Sequence, residues 1–127
     1  MKSSTVIKTA AIFGALAVGI GAFGAHGLKP MLESSARLET FETAVKYHFY
    51  HSLALLGLGV WTSLKPQLSR IGLSFWGFTI GIVIFSGSLY ALCLSGLTWL
   101  GAITPLGGVA MIVGWLGLWF AAGKSDS

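Results

Sequence analysis

The chain has 127 residues, 54% of them hydrophobic and only 9% charged, where a soluble domain carries roughly 25% charged residues. A surface so short of charge excludes a water-soluble monomer, and the length allows one domain, residues 1–127. The net charge of +4 reads as topology and lipid-headgroup contact and gives no argument for nucleic acid, while the single Cys93 excludes an intrachain disulfide.

From Thr9 to Leu28 no residue is charged. A crossing of the ~30 Å hydrocarbon layer takes about 20 apolar residues, so a first span is expected at 7–27. Lys2, Lys8, the apolar run and the small residues Ala22 and Gly24 loosely imitate a signal peptide. The run is longer than the roughly 7–15 residues of a signal core, which favours a retained span. Lys29-Pro30 should end it at headgroup level.

Residues 31–46, "MLESSARLETFETAVK", are the one soluble-looking stretch. Leu38, Phe41 and Val45 recur at helical spacing. Glu33 with Arg37 and Glu42 with Lys46 are i,i+4 pairs. A short amphipathic helix is expected from about Ser35, either continuing into the second span or lying in the interface.

A second uncharged run, Tyr47 to Leu64, gives a span at 44–64. "KPQLSR" (65–70) reads as a polar turn. Ile71 to Gly123 holds 53 uncharged residues, about 80 Å as one helix, so it must cross twice. The expected spans are 71–94 and 99–122, with the reversal at Ser95-Gly96. The runs lack the alternation that a barrel requires. The fold class is therefore an all-α integral membrane protein, a four-helix transmembrane bundle. With the N-terminus in the cytoplasm, Lys2, Lys8, Lys65, Arg70 and Lys124 lie inside and Lys29, Arg37 and Lys46 outside. The positive-inside rule then puts both termini in the cytoplasm.

Small residues step by 3 and 4 along three spans. They are Ala10, Gly14, Ala17, Gly21 and Gly24 in the first, Ser74, Gly77, Gly81, Ser88 and Ala91 (interrupted by Ile84) in the third, and Gly107, Ala110, Gly114, Gly117 and Ala121 in the fourth. Such seams let helix backbones approach closely in lipid. The second span lacks one; its stripe is Ala44, His48, His51, Leu55. The five tryptophans sit mostly near span ends, as interfacial belts do.

The concentrated chemistry is in the histidines. His26 ends the first span and "YHFYH" opens the second, so antiparallel spans bring them to the same outer face. Tyr47, His48 and His51, with Ser86, Ser88 and Tyr90 of the third span and Thr104 of the fourth, should form one polar layer at the outer leaflet. Imidazoles can hold zinc or copper, ligate a haem or relay protons. Interfacial anchoring and hydrogen bonding between helices are the plainer explanation and carry the greater weight. The metal signal of the three histidines is weak, since carboxylate partners are sparse. No HExxH, GxSxG or phosphate-binding loop is present, and no cofactor or enzymatic activity is expected.

"GAFGAHGL", "TAVKYHFYHSLALL", "FSGSLYAL" and "ITPLGGVAMIVGW", in this order and over nearly the whole chain, resemble the YgdD-like family of small membrane proteins, domain-of-unknown-function family 423, related to eukaryotic transmembrane protein 256. The resemblance implies four membrane helices and, in bacteria, an inner-membrane location. In that family a variable residue, often glutamine, stands at the position of His48, which leaves His26 and His51 as the histidines the resemblance singles out. The expected role is a non-enzymatic scaffold, assembly or interaction protein whose partners are membrane lipids, a second copy or other membrane proteins. The alternative is a small protein that binds or conducts a metal, a proton or a polar ligand.

Overall fold

The computed structural model describes residues 1–68 and 70–125, with the side chains of Lys124 and Ser125 outside the description. The side chain of Lys124 in the charge count and Ser69 in the 65–70 turn therefore lie outside the description. The chain forms α1 (Ser3–Ala25), α2 (Lys29–Ser34), α3 (Leu38–Leu64), α4 (Gly72–Gly81), a π-helical turn (Ile82–Ser86), α5 (Gly87–Ser95), a 3-10 turn (Thr98–Ala102) and α6 (Thr104–Ser125). The π turn joins α4 and α5 into one continuous helix, Gly72–Ser95.

Three of these helices, Ser3–Ala25, Gly72–Ser95 and Thr98–Gly123, are long and apolar enough to cross a membrane. The fourth expected span belongs to α3, whose 27 residues do not meet the same standard of hydropathy. The reason is local: the histidines and tyrosines of "YHFYH" and the charged first turns dilute its apolar second half. That dilution goes with position. α3 packs against α1 on one side and against α4, the π turn and α5 on the other. His48, His51, Ser52 and Thr62 are all buried in it. These four polar groups thus face protein, where they can be satisfied. α6 closes the bundle against α4 and the π turn. One core runs through the contact of all four long helices, with Val6 and Ala10 of α1, Leu55 and Leu58 of α3, Phe75, Phe78 and Ile82, and Met111 of α6.

The amphipathic helix runs on into the second span, as expected, within α3 from Leu38, while the segment before it differs from the sequence expectation. Pro30 does not close the first helix; α1 ends at Ala25, and Pro30 sits in the first turn of α2, where its missing N–H costs nothing. The amphipathic stretch breaks at Ser35–Arg37. Ala36 takes a left-handed φ of 58°, while its N–H reaches Glu33 O and the Arg37 N–H reaches Leu32 O. This is a Schellman closure made without glycine. The expected Glu33–Arg37 pair is replaced. Glu33 sits 3.8 Å from Lys29, and the Arg37 guanidinium donates to Leu92 O at 3.2 Å. Arg37 therefore places a positive charge at the C-terminal end of α5, beside Gly96, whose φ of 76° ends that helix.

The glycine seams resolve into two kinds. Between α4 and α6 the backbones meet. A Cβ on Gly77 would lie 2.6 Å from Gly114 N, one on Gly81 2.5 Å from Met111 Cγ, and one on Gly117 2.6 Å from Ser74 Oγ. Gly107 lies under the Phe85 backbone and Gly114 under the Phe78 ring. The interruption at Ile84 coincides with the π turn, whose wider winding shifts the register between Gly81 and Ser88. Between α1 and α3 the seam is looser. Gly24 is filled by the Phe41 ring and Gly21 touches Val45, but a Cβ on Gly14 would meet nothing within 4 Å. The expectation that Gly14 is a packing glycine is therefore corrected: it opens onto a groove. Its place is taken by Gly59 of α3, against which Ile7 packs closely, although the second span shows no seam in its sequence.

These contacts set a gradient of tolerance. Gly77→Leu and Gly107→Leu should each destabilise the bundle by about 1–3 kcal/mol or more through overpacking, while Gly14→Leu should change it by less than about 1 kcal/mol. Thermal unfolding in detergent followed by circular dichroism measures this; equal losses at all three positions would contradict the packing described.

Candidate functional site

The polar side chains do not gather into one layer at one end. They form a series of links that descends from the start of α6 to the middle of α3. At the top, Ser88 and Thr104 share a hydroxyl–hydroxyl bond of 2.6 Å between α5 and α6. Each hydroxyl is also in reach of a carbonyl in its own chain segment, Phe85 O at 3.0 Å and Leu100 O at 3.3 Å. Whichever of the two donates across the gap, the other has a carbonyl for its own proton.

Ser86, the last residue of the π turn, is fully buried and donates to Ala44 O at 2.7 Å. That carbonyl belongs to α3, so the bond ties the turn to the central helix. His48 lies one turn further along α3. It is 3% exposed, and its Nδ1 is 2.9 Å from the Tyr90 hydroxyl of α5. Its Nε2 is buried without a hydrogen bond of good geometry. This side of the ring meets α1, where the Phe13 ring stands edge-on at 6.0 Å and the Phe13 backbone is close by.

His51 is the fourteenth of the 27 residues of α3, by its position in Leu38–Leu64. Its Nδ1 is 2.7 Å from Tyr47 O. A carbonyl only accepts, so Nδ1 must carry the proton. The remaining lone pair on Nε2 accepts the indole N–H of Trp115, at 3.0 Å. Both nitrogens are therefore engaged and the tautomer is fixed by its partners. Phe78 and Trp115 pack around the ring at centroid distances of 5.7 and 5.8 Å. Tyr47 stays exposed, its ring over Phe85 at 4.8 Å and beside Tyr50.

His26 takes no part. It is exposed at the C-cap of α1, where its backbone N–H bonds Ala22 O. The antiparallel arrangement brings the ends of α1 and α3 together, but Gly24 meets Phe41 and Gly21 meets Val45, so His26 lies level with the first turn of α3, above His48. His26 and His51 do not converge, and among the described residues no group of three His, Cys, Asp or Glu side chains could hold a metal ion. With its lone pair given to Trp115, His51 could ligate a metal only by losing that bond.

Trp115 is the residue that sequence reasoning passed over. Tryptophan near a span end usually marks the interface, and the only signal for a different role was its place one face over from the Gly107–Gly114 stripe. Ser52, Thr62 and Thr9 return their hydroxyls to carbonyls four residues back, the local habit of hydroxyls in helices. Cys93 is buried, with its thiol 3.7 Å from Arg37 O.

The arrangement can do one thing well. It ties α3 to α5, to the π turn and to α6, and α5 to α6, through side chains that point between helices. A double-mutant cycle on His51→Phe and Trp115→Phe should give a coupling of about 0.5–1.5 kcal/mol, and His26→Ala should stay within about 0.5 kcal/mol of wild type. Zero coupling at His51–Trp115 would remove the clamp from the account.

Residues 20–108 match the family described as Protein of unknown function (DUF423). The chain is similar to the UPF0382 membrane protein YwdK of Bacillus subtilis, 49% identical over 117 residues that cover 90% of this chain and 92% of the relative. It is 38% identical to a UPF0382 membrane protein of Haemophilus influenzae, covering 92% of each chain. A UPF0382 membrane protein of the fission yeast Schizosaccharomyces pombe is also 38% identical, over 87% of this chain and 95% of its own length. No solved structure matches.

Proposed function

The chain belongs to the DUF423 family of membrane proteins, and from that premise we propose that it is a non-enzymatic scaffold, a single bundle in which α3 is the fourth crossing. In this reading both termini are cytoplasmic, the bacterial home is the inner membrane, and the partners are lipids and other membrane proteins or a second copy. Nucleic acid is not among them.

The observation that supports the reading is the state of His51. At the centre of the bundle this histidine has both ring nitrogens bonded to the protein. Ser86, Ser88 and Thr104 are likewise bonded between helices. A catalytic or metal site needs a free lone pair or an ionisable group open to a substrate. Support for a fourth crossing comes from the uncharged run Tyr47 to Leu64 and from the length of α3, about 40 Å as helix. Five basic residues against three favour the stated orientation.

A second reading has one observation behind it. His48 is buried, and its Nε2, near the Phe13 backbone, makes no hydrogen bond of good geometry; a bound metal ion would use that atom.

Metal analysis and a visible spectrum of the detergent-purified chain separate the two. The scaffold reading expects substoichiometric metal and no haem band, and an unchanged result in His48→Gln and His51→Gln. Stoichiometric metal or a visible band lost in either variant would overturn it.

A further inference from the structure

Two grooves lie along the α1–α3 seam, on the same side of α3. One, of about 330 Å³, is lined by Gly21, Gly24, Leu38, Phe41 and Val45 and has Lys29, Glu42 and Lys46 at its rim. The other, of about 320 Å³, is lined by Ala10, Gly14, Val18, Phe49, Leu53 and Leu56, with Ile7, Ala11, Ala15 and Ser52 completing the wall. Val18 is three residues from Gly21 and Val45 four from Phe49, so the two continue each other along both helices at helical spacing. From Ala25 to Gly14 the furrow descends about 16 Å, half of the ~30 Å hydrocarbon layer. Its wall is apolar; Ser52, its one hydroxyl-bearing residue, donates inward to His48 O.

The rim is not simply basic. Lys29 and Lys46 bring two positive charges and Glu42 a negative one, and Glu33 stands 3.8 Å from Lys29. A basic rim alone would suit an anionic headgroup. Two ammonium groups beside carboxylates instead complement a headgroup that carries both a phosphodiester and an amine. We propose that this furrow holds one zwitterionic aminophospholipid. An acyl chain lies along Gly21, Val18 and Gly14, the phosphodiester sits between Lys29 and Lys46, and the amine faces Glu42. The site is separate from the His51 clamp. It rests on the reading of α1 and α3 as antiparallel crossings.

The test uses the full chain in detergent, delipidated and then offered phosphatidylethanolamine or phosphatidylglycerol with the same acyl chains, with retention read by native mass spectrometry. Wild type should retain one phosphatidylethanolamine per chain, at least about tenfold over phosphatidylglycerol, a free-energy difference of about 1.4 kcal/mol. Gly14→Leu puts a side chain into the furrow from a position whose Cβ meets nothing within 4 Å and should abolish retention with the fold intact by circular dichroism. Lys29→Gln with Lys46→Gln should abolish it too, and Glu42→Gln should reverse the preference. Trp119→Ala, exposed on α6, should change nothing. Retention by Gly14→Leu equal to wild type, a wild-type preference for phosphatidylglycerol, or no retention of either lipid would overturn the proposal. Impermeant maleimide labelling of Ser34→Cys and Ser63→Cys, each in a Cys93→Ser background, checks the crossing on its own. Labels on opposite faces with failed retention sink the lipid site alone, and labels on one face sink the crossing as well.

Discussion

A polar group inside hydrocarbon has no water to bond with, so it must find its partner in the protein. The bundle is organised around that constraint. α3 carries four polar side chains in its buried face; Ser52 and Thr62 bond carbonyls of α3 itself, and the helices around it supply partners to His48 and His51. Trp115 donates its N–H to His51, the Tyr90 hydroxyl pairs with His48 Nδ1, and α3 in turn offers the Ala44 carbonyl to Ser86. Each link joins residues 42 to 64 positions apart in the chain. Such links act only in the assembled bundle, and they fix which face of each helix turns inward. The α4–α6 glycines work beneath them, since contact at the distance of Gly77 and Gly114 leaves one register for the two backbones.

The two sides of the molecule are consequently unlike. α4 and α6 are locked by backbone contact and by Ser88–Thr104. α1 is held to α3 by ring-into-glycine packing at Gly24 and Gly59 and leaves a furrow around Gly14. Residues 26–37 then fold back as α2 and a Schellman closure, with Arg37 reaching across to α5. The molecule thus has one closely packed half and one grooved half.

How much of this can be read from the sequence follows from the kind of signal each feature leaves. Absence of charge is a one-dimensional signal. The runs around Thr9–Leu28 and Ile71–Gly123 accordingly mark α1, α4–α5 and α6 to within a few residues, and Gly96 marks the reversal. Periodicity identifies a face but not what it meets. Gly14 and Gly24 share a stripe, yet only Gly24 has a partner, and Gly59 belongs to no stripe at all. The axial offset of one helix against another leaves no trace in the sequence: Gly24 meets Phe41 and Gly21 meets Val45, which sets His26 roughly two turns above His48. The His51–Trp115 bond depends on α6 sliding to one depth against α3, a result of the α4–α6 glycine contact rather than of anything beside Trp115. The π turn is hinted at only by Ile84, where the seam breaks its step.

The account depends most on His51 being a residue bonded on both sides. Histidine side-chain 15N NMR of the chain in detergent micelles tests this directly. A single neutral Nδ1–H tautomer for His51, with a through-bond coupling or close contact to the Trp115 indole N–H, is the predicted result. An Nε2–H tautomer, or a mixture of the two, would contradict it.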